Sequence, residues 1–343
     1  MSEQRSEISA LGEFGLIDRL AEPFKIQHPD TVKGIGDDAA VIRCGDHLSL
    51  LSTDMLLEGV HFDLRYVPLQ HLGYKAIAVN VSDIAAMNGK PGQVVVGLGI
   101  SNRFSVEAVE ELYAGIKAAC QHYGVDLVGG DTTSSAVGLV LSIAVRGTVD
   151  SDKIAFRSGA SANDILCVTG DLGAAYMGLQ VLEREKEVFL SNPGTQPDLE
   201  KYSYLVGRQL KPEARMDIVH ELEELKVVPT AMIDVSDGLA SELLHIGRNS
   251  RCGVKIFEDK VPIDHQTFET AVEFKIDPIT AALNGGEDYE LLFTIKPADF
   301  EKLKNHADIH FIGHLHTAMD QNVMITKAGN TVALTAQGWN HFS

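Results

Sequence analysis

The sequence predicts a mixed α/β protein built as two domains, and three observations lead there. The chain has 343 residues, more than one hydrophobic core usually serves. Short apolar runs rich in β-branched residues alternate with longer segments whose apolar residues recur at helical spacing. A polar, turn-rich stretch, Arg157-Ser158-Gly159-Ala160, separates one such series from the next. The boundary is therefore placed near residue 150, giving an N-terminal α/β domain over 1–150 and a C-terminal α/β domain over 151–343.

Leu48–Ser52 reads as a short strand. Gly73–Met87 reads as a helix, because Ala76, Ile77, Ile84 and Met87 recur at its spacing. Gln93–Ile100 is a continuous strand-like run, Val106–Cys120 has helical period, and Leu139–Val145 is a further strand. Past the boundary come a strand at Ile165–Thr169 and a helix at Gly173–Leu182. The polar insert Ser191 to Asp198 reads as an exposed loop. A helix at Glu213–Leu225 is led by Pro212, a residue suited to a first turn. Ala231–Asp234 is a short strand and Leu239–Arg248 the helix after it, with later strands near Glu290–Ile295 and His310–Gly313.

Hydrophobic residues at 45% and charged ones at 22% exclude a disordered or collagenous chain. Lys plus Arg total 29 against 48 Asp plus Glu, a net charge of −19. A surface this acidic repels phosphate backbones and anionic membranes, so neither nucleic acid nor a membrane is an expected partner. An anionic substrate would need divalent cations to approach. Cys44, Cys120, Cys167 and Cys252 lie far apart without a C-x-x-C pair, which argues against a zinc site or disulfide scaffold and fits a reducing compartment. The first residues lack the apolar core of a signal peptide, and the clean apolar run Val137–Val145 is far shorter than the roughly 20 residues that cross a bilayer. A soluble, cytoplasmic protein is expected.

The informative pattern is an apolar strand that ends in aspartate among small residues. It occurs at Ile35-Gly36-Asp37-Asp38, at Leu51-Ser52-Thr53-Asp54, at Val128-Gly129-Gly130-Asp131 and at Ile233-Asp234-Val235-Ser236-Asp237. A further acid, Asp83, falls inside a helix, where aspartate is a poor helix former. Each one alone reads as a turn or a helix cap. Together, at strand ends of an α/β sheet, they suggest a shared cleft. So many carboxylates in one cleft raise one another's pKa and require cations; hard oxygen ligands select Mg²⁺. Several Mg²⁺ ions point to phosphoryl chemistry on a nucleotide. No G-x-x-x-x-G-K-[ST] loop and no strand-following G-x-G-x-x-G is present, so metal must do most of the charge neutralisation.

Six motifs in order complete the sequence picture: Gly34-Ile35-Gly36-Asp37-Asp38-Ala39, Ser52-Thr53-Asp54, Ala78-Val79-Asn80-Val81-Ser82-Asp83-Ile84, Gly129-Gly130-Asp131-Thr132-Thr133, Ile233-Asp234-Val235-Ser236-Asp237-Gly238 and Gly285-Gly286-Glu287-Asp288-Tyr289-Glu290-Leu291. From Gly12 to Phe342 the chain resembles the thiamine-monophosphate kinase family, of the superfamily that includes aminoimidazole ribonucleotide synthetase. The resemblance implies two domains of that superfamily's type and a homodimer. It implies ATP as co-substrate, several Mg²⁺ ions, and direct in-line phosphorylation of thiamine monophosphate to thiamine diphosphate. It implies metal ligation by Asp38, Ser52, Thr53, Asp54, Asp83, Asp131, Asp234 and Asp237. Nucleotide contacts fall on Tyr113, Gly130, Asp131, Arg157 and Ser236, and substrate contacts on His61, Glu287 and Trp339. No general base is assigned, since a phosphomonoester with a second pKa of about 6 is already mostly dianionic near neutral pH.

Alternatives remain open at this stage. Clustered aspartates also activate water, so a Mg²⁺-dependent phosphohydrolase is the rival enzyme class; a non-catalytic thiamine-phosphate-binding protein is the rival outside enzymology. His310, His314 and His316 would share one face of a strand by alternation but read as a solvated strand end.

Overall fold

The computed structural model describes residues 12–194 and 196–337. The first half opens with helix α1 (Gly12–Ala21) and strands β1 (Thr31–Lys33), β2 (Ala40–Cys44) and β3 (His47–Leu57). Helix α2 (Leu69–Ala86), β4 (Lys90–Ile100), α3 (Val106–Tyr123), β5 (Asp126–Ser134) and β6 (Val140–Val149) follow. The strands form one sheet in the order β1-β2-β3-β6-β4-β5, with β5 at the edge and parallel to β4. Along β3, Leu48, Leu50 and Leu56 are buried while Leu51 and Met55 are exposed, so one face of the sheet carries the core and the other is open.

The second half runs β7 (Ile165–Thr169), α4 (Ala174–Ser191), α5 (Ser203–Leu210), α6 (Met216–Glu224), β8 (Ala231–Asp234), α7 (Leu239–Ser250) and β9 (Gly253–Phe257). It continues with α8 (His265–Glu273), α9 (Pro278–Asn284), β10 (Leu291–Ile295), α10 (Phe300–Leu303), β11 (Ile309–His316), β12 (Val323–Ile325) and β13 (Thr331–Ala333). Its sheet has the order β13-β12-β9-β11-β7-β10-β8, which leaves β8 at one edge.

Helix α2 joins the halves. It is buried almost all round, from Leu72 to Ala86, as expected of a helix that is apolar on every side. It packs on β3 and β6, against α3, and on β8 of the second sheet. The crossing with α3 is close because glycines face each other. A Cβ on Gly73 would lie 2.0 Å from the Leu112 carbonyl oxygen, and one on Gly115 would lie 1.9 Å from that of Gln70.

The structure corrects several sequence expectations. Asp54 and Asp131 lie inside strands rather than at strand ends, because β3 pairs with β6 continuously from Leu48 to Leu57 and β5 pairs with β4 through Ser134. Helix α6 begins at Met216, not Glu213. The Tyr123 hydroxyl accepts the Ala214 N–H at 2.9 Å, and the Glu213 carboxylate accepts from the Tyr74 and Tyr123 hydroxyls at 2.6 and 3.0 Å, which pins the segment to the first half and holds it out of the helix. A bulge between Phe311 and Gly313 in β11 reverses the alternation, so His310 lies on the opposite face from His314 and His316.

Candidate functional site

Helix α2 carries Asp83 through its last turn to the edge of the second sheet, where β8 ends in Asp234. The loop between β1 and β2 brings Asp38 to the same place. Oxygens of Asp38, Asp83 and Asp234 lie within 4.8 Å of one another. The Ser82 hydroxyl donates to Asp234 Oδ2 at 2.6 Å, and the Ser52 hydroxyl on β3 donates to Asp83. The Asp54 N–H donates to Asn80 Oδ1 at 3.1 Å, and the Asn80 amide in turn donates to the Ala76 carbonyl at 2.9 Å. Asp83 near the C-terminus of α2 also faces the unfavourable end of the helix dipole.

These groups are costly to ionise together. Burial pushes Asp38 up to about 7, with Asp234 and Asp37 adding to the rise and Arg157 opposing it. Burial and the charge of Asp38 raise Asp54 to about 6. Asp234 reaches about 6 through burial, offset by the Ser82 hydroxyl and Arg157. Asp83 is pushed well above the carboxylate range by burial and by the charges of Asp54, Asp234 and Asp38. Arg157 brings a positive charge among them. Arg157 donates Nη2 and Nε to Asp38 Oδ1 at 2.6 and 3.2 Å, and its N–H to Asp37 Oδ1 at 2.9 Å. Asp38 Oδ2 is buried with no hydrogen-bond partner, a lone pair that a hard cation suits.

Two loops meet beside the acids. The Glu287 N–H donates to the Ser236 carbonyl at 2.7 Å and the Tyr289 N–H to that of Val235 at 2.9 Å, extending the β8–β10 pairing beyond the strands. Gly286, Glu287 and Tyr289 all have positive φ, at 69°, 60° and 52°. A Cβ on Gly286 would sit 2.6 Å from the Ser236 carbonyl oxygen, so this turn needs glycine there. Burial raises the Tyr289 phenol, and the charges of Glu287, Asp54, Asp234 and Asp237 add to it, which joins the second loop to the acid cluster.

Of the residues singled out in the sequence, the structure thus gathers Asp38, Ser52, Asp54, Asp83, Arg157, Asp234, Ser236, Asp237 and Glu287. Others stand apart. Asp131 shares a row with Met55 across β6 and β4, on the open face of the sheet, and every residue of β5, Gly130 included, is exposed. Thr53 alternates with Asp54 and donates its hydroxyl to the Ile143 carbonyl at 2.8 Å. Tyr113 is half-buried against the first core, and His61 Nδ1 accepts the Leu57 N–H at 3.1 Å in the turn after β3. Trp339 lies outside the described residues.

Sequence reasoning missed Asn80, Ser82 and Glu242. Glu242 is buried, accepts the Asp237 N–H at 2.9 Å, and is pushed well above its usual range by burial and by Asp237. Its signal was present as an acid in the first turn of α7, indistinguishable from ordinary capping.

Residues 36–149 match the family described as AIR synthase related protein, N-terminal domain, which gives the class of the first half. Thiamine-monophosphate kinase of Bacillus subtilis (strain 168) is 34% identical over 338 residues, covering 97% of this chain and 100% of the relative. That of Aquifex aeolicus (strain VF5) is 33% identical over 336 residues, covering 98% and 99%. The solved structure of AaThiL complexed with AMPPCP and TMP matches with a TM-score of 0.83 at 33% identity, over 100% of both chains. The chain belongs to the thiamine-monophosphate kinase family. No described helix is long and apolar enough to cross a membrane.

Proposed function

We propose that this protein transfers the γ-phosphoryl group of ATP to thiamine monophosphate, giving thiamine diphosphate and ADP with the aid of several Mg²⁺ ions. The observation that carries the reading is the cluster of Asp38, Asp83 and Asp234 at the junction of the two sheets, in a chain related over its full length to kinases of that name. A phosphate oxygen of thiamine monophosphate attacks the γ-phosphorus in line, and the bond from that phosphorus to the β,γ-bridging oxygen breaks. The acceptor is already dianionic near neutral pH, so no protein base has to remove a proton.

The donor set fits a hard cation: several carboxylates, raised pKa values and the unpartnered Asp38 Oδ2. Asp38, Asp54, Asp83 and Asp234 would hold Mg²⁺, with Ser52 and Asp237 beside them. When bound, Mg²⁺ would offset the repulsion between two polyanions and fix their approach. Arg157 supplies a fixed positive charge, and the Ser236 and Glu287 loops define the nucleotide and acceptor sides.

We further propose a homodimer. The open face of the first sheet exposes Leu51, Met55 and Val95 at 46%, 54% and 40%, and its edge strand exposes Leu127 and Val128 at 42% and 60%. An open edge beside an apolar face is a surface that natural proteins cover. Thr53 and Asp131 lie on that face, so their share in binding depends on this assembly.

Incubation with ATP, Mg²⁺ and thiamine monophosphate, followed by separation of products, tests the reaction. Stoichiometric ADP and thiamine diphosphate are expected. ADP and free phosphate formed at a rate independent of the acceptor would replace the kinase reading with a hydrolase.

A further inference from the structure

Lysine is rarely buried without a partner and a purpose, yet Lys75 on α2 is 3% exposed. Its Nζ donates to Glu287 Oε2 at 3.0 Å and to the Gln209 carbonyl at 3.2 Å. The Gln209 side chain, on α5, donates its Nε2 to the same Glu287 oxygen at 2.6 Å. Both donors therefore converge on Oε2, and Oε1 makes no hydrogen bond with the described residues. The Glu287 side chain remains 28% exposed, so the carboxylate is gripped on one side and open on the other. Its backbone is fixed as well, at a φ of 60° with the N–H on the Ser236 carbonyl at 2.7 Å.

We propose that Lys75, with Gln209 behind it, is a positioning residue for the phosphoryl acceptor: it fixes Glu287 so that Oε1 is presented to the cationic, amine-bearing thiamine moiety. Resting on the kinase reading above, this inference adds to it a residue that touches neither substrate. A buried ion pair gives little net stability compared with apolar packing of the same shape, so stability alone does not account for it. Orientation does. One cation and one amide on a single oxygen fix the orientation of the carboxylate and leave the other oxygen for the ligand. Lys75 also lies on the helix that carries Ser82 and Asp83, so the acceptor side and the acid cluster share one rigid element.

The test is two-substrate steady-state kinetics on the full-length protein, wild type and Lys75→Met, with thermal melts of both. Lys75→Met is expected to raise the KM for thiamine monophosphate at least about tenfold. It should change the KM for ATP less than about twofold and kcat only modestly, because a contact made alike in ground and transition states appears in KM. Gln209→Leu, which removes the second donor, should raise the acceptor KM by a smaller factor in the same direction. If Lys75→Met does not fold, the Gln209→Leu acceptor KM decides. An unchanged acceptor KM in a folded variant overturns the proposal, as does a parallel rise in both KM values with a lower Tm. A wild-type protein that does not phosphorylate thiamine monophosphate fails earlier, and removes the kinase reading along with the inference.

Discussion

Replacing Asp54 by Asn should stabilise the metal-free protein while removing most of its activity. Asp54 is an acid beside the cluster that makes no ion pair among the described residues: its N–H is held by Asn80, while burial and the charge of Asp38 raise it from 3.8 to about 6. A rise of about two units corresponds to about 3 kcal/mol against the ionised form in the folded protein. Because the folded value is raised, the contribution to stability is whole below about 3.8 and is lost as pH rises through about 6. At pH 8 the asparagine variant escapes this cost, and after structural relaxation a gain of about 1–3 kcal/mol is expected, a Tm increase of about 2–6 °C. At pH 5 the gain should be about half as large, since the folded group is then largely protonated. Circular-dichroism melts in chelator at the two pH values measure this directly. Mg²⁺ should raise the Tm of wild type more than that of the variant. Turnover should fall at least about 10²-fold, about 2.7 kcal/mol of lost transition-state stabilisation. A Tm unchanged or lowered at pH 8, or raised equally at both pH values, would refute the electrostatic reasoning.

Gly73→Ala should lower stability by about 1–3 kcal/mol or more, read as a lower denaturation midpoint, because the new methyl would lie 2.0 Å from the Leu112 carbonyl oxygen. Glu290 is buried at 1% exposure and accepts from Arg208 at 2.9 Å, from Thr169 at 2.6 Å and from Arg215. Glu290→Gln should therefore cost about 3 kcal/mol in urea titration, because it removes the buried carboxylate charge that Arg208 and Arg215 share, although Arg215 keeps Asp217 and Asp308. Met55→Glu, on the open sheet face, should shift the protein from dimer to monomer in light scattering while its far-UV spectrum is retained; a wild-type monomer at micromolar concentration would dispose of the proposed dimer.

Much of this protein was legible from its residues. Periodicity located α2, α3 and α7 and the strands Ile165–Thr169 and Ala231–Asp234, because burial against a sheet or between layers leaves a repeating apolar pattern. The aspartates could be picked out because so many acids beside glycine, serine and threonine exceed what turns and caps require. Tertiary structure decided which of them meet. Sequence places Asp38, Asp83 and Asp234 nearly two hundred residues apart at the extremes, and only the packing of α2 against β8, with the loop between β1 and β2 laid beside them, brings their oxygens within 4.8 Å. Register sent Asp131 to the open face and left Asp54 inside, because strand alternation assigns a face only once the pairing is known. Lys75 gave no local sign at all. Its place behind Glu287 depends on a helix of the first half, a helix of the second and a strained turn arriving together, and electrostatic complementarity over such separations is written in space rather than in spacing.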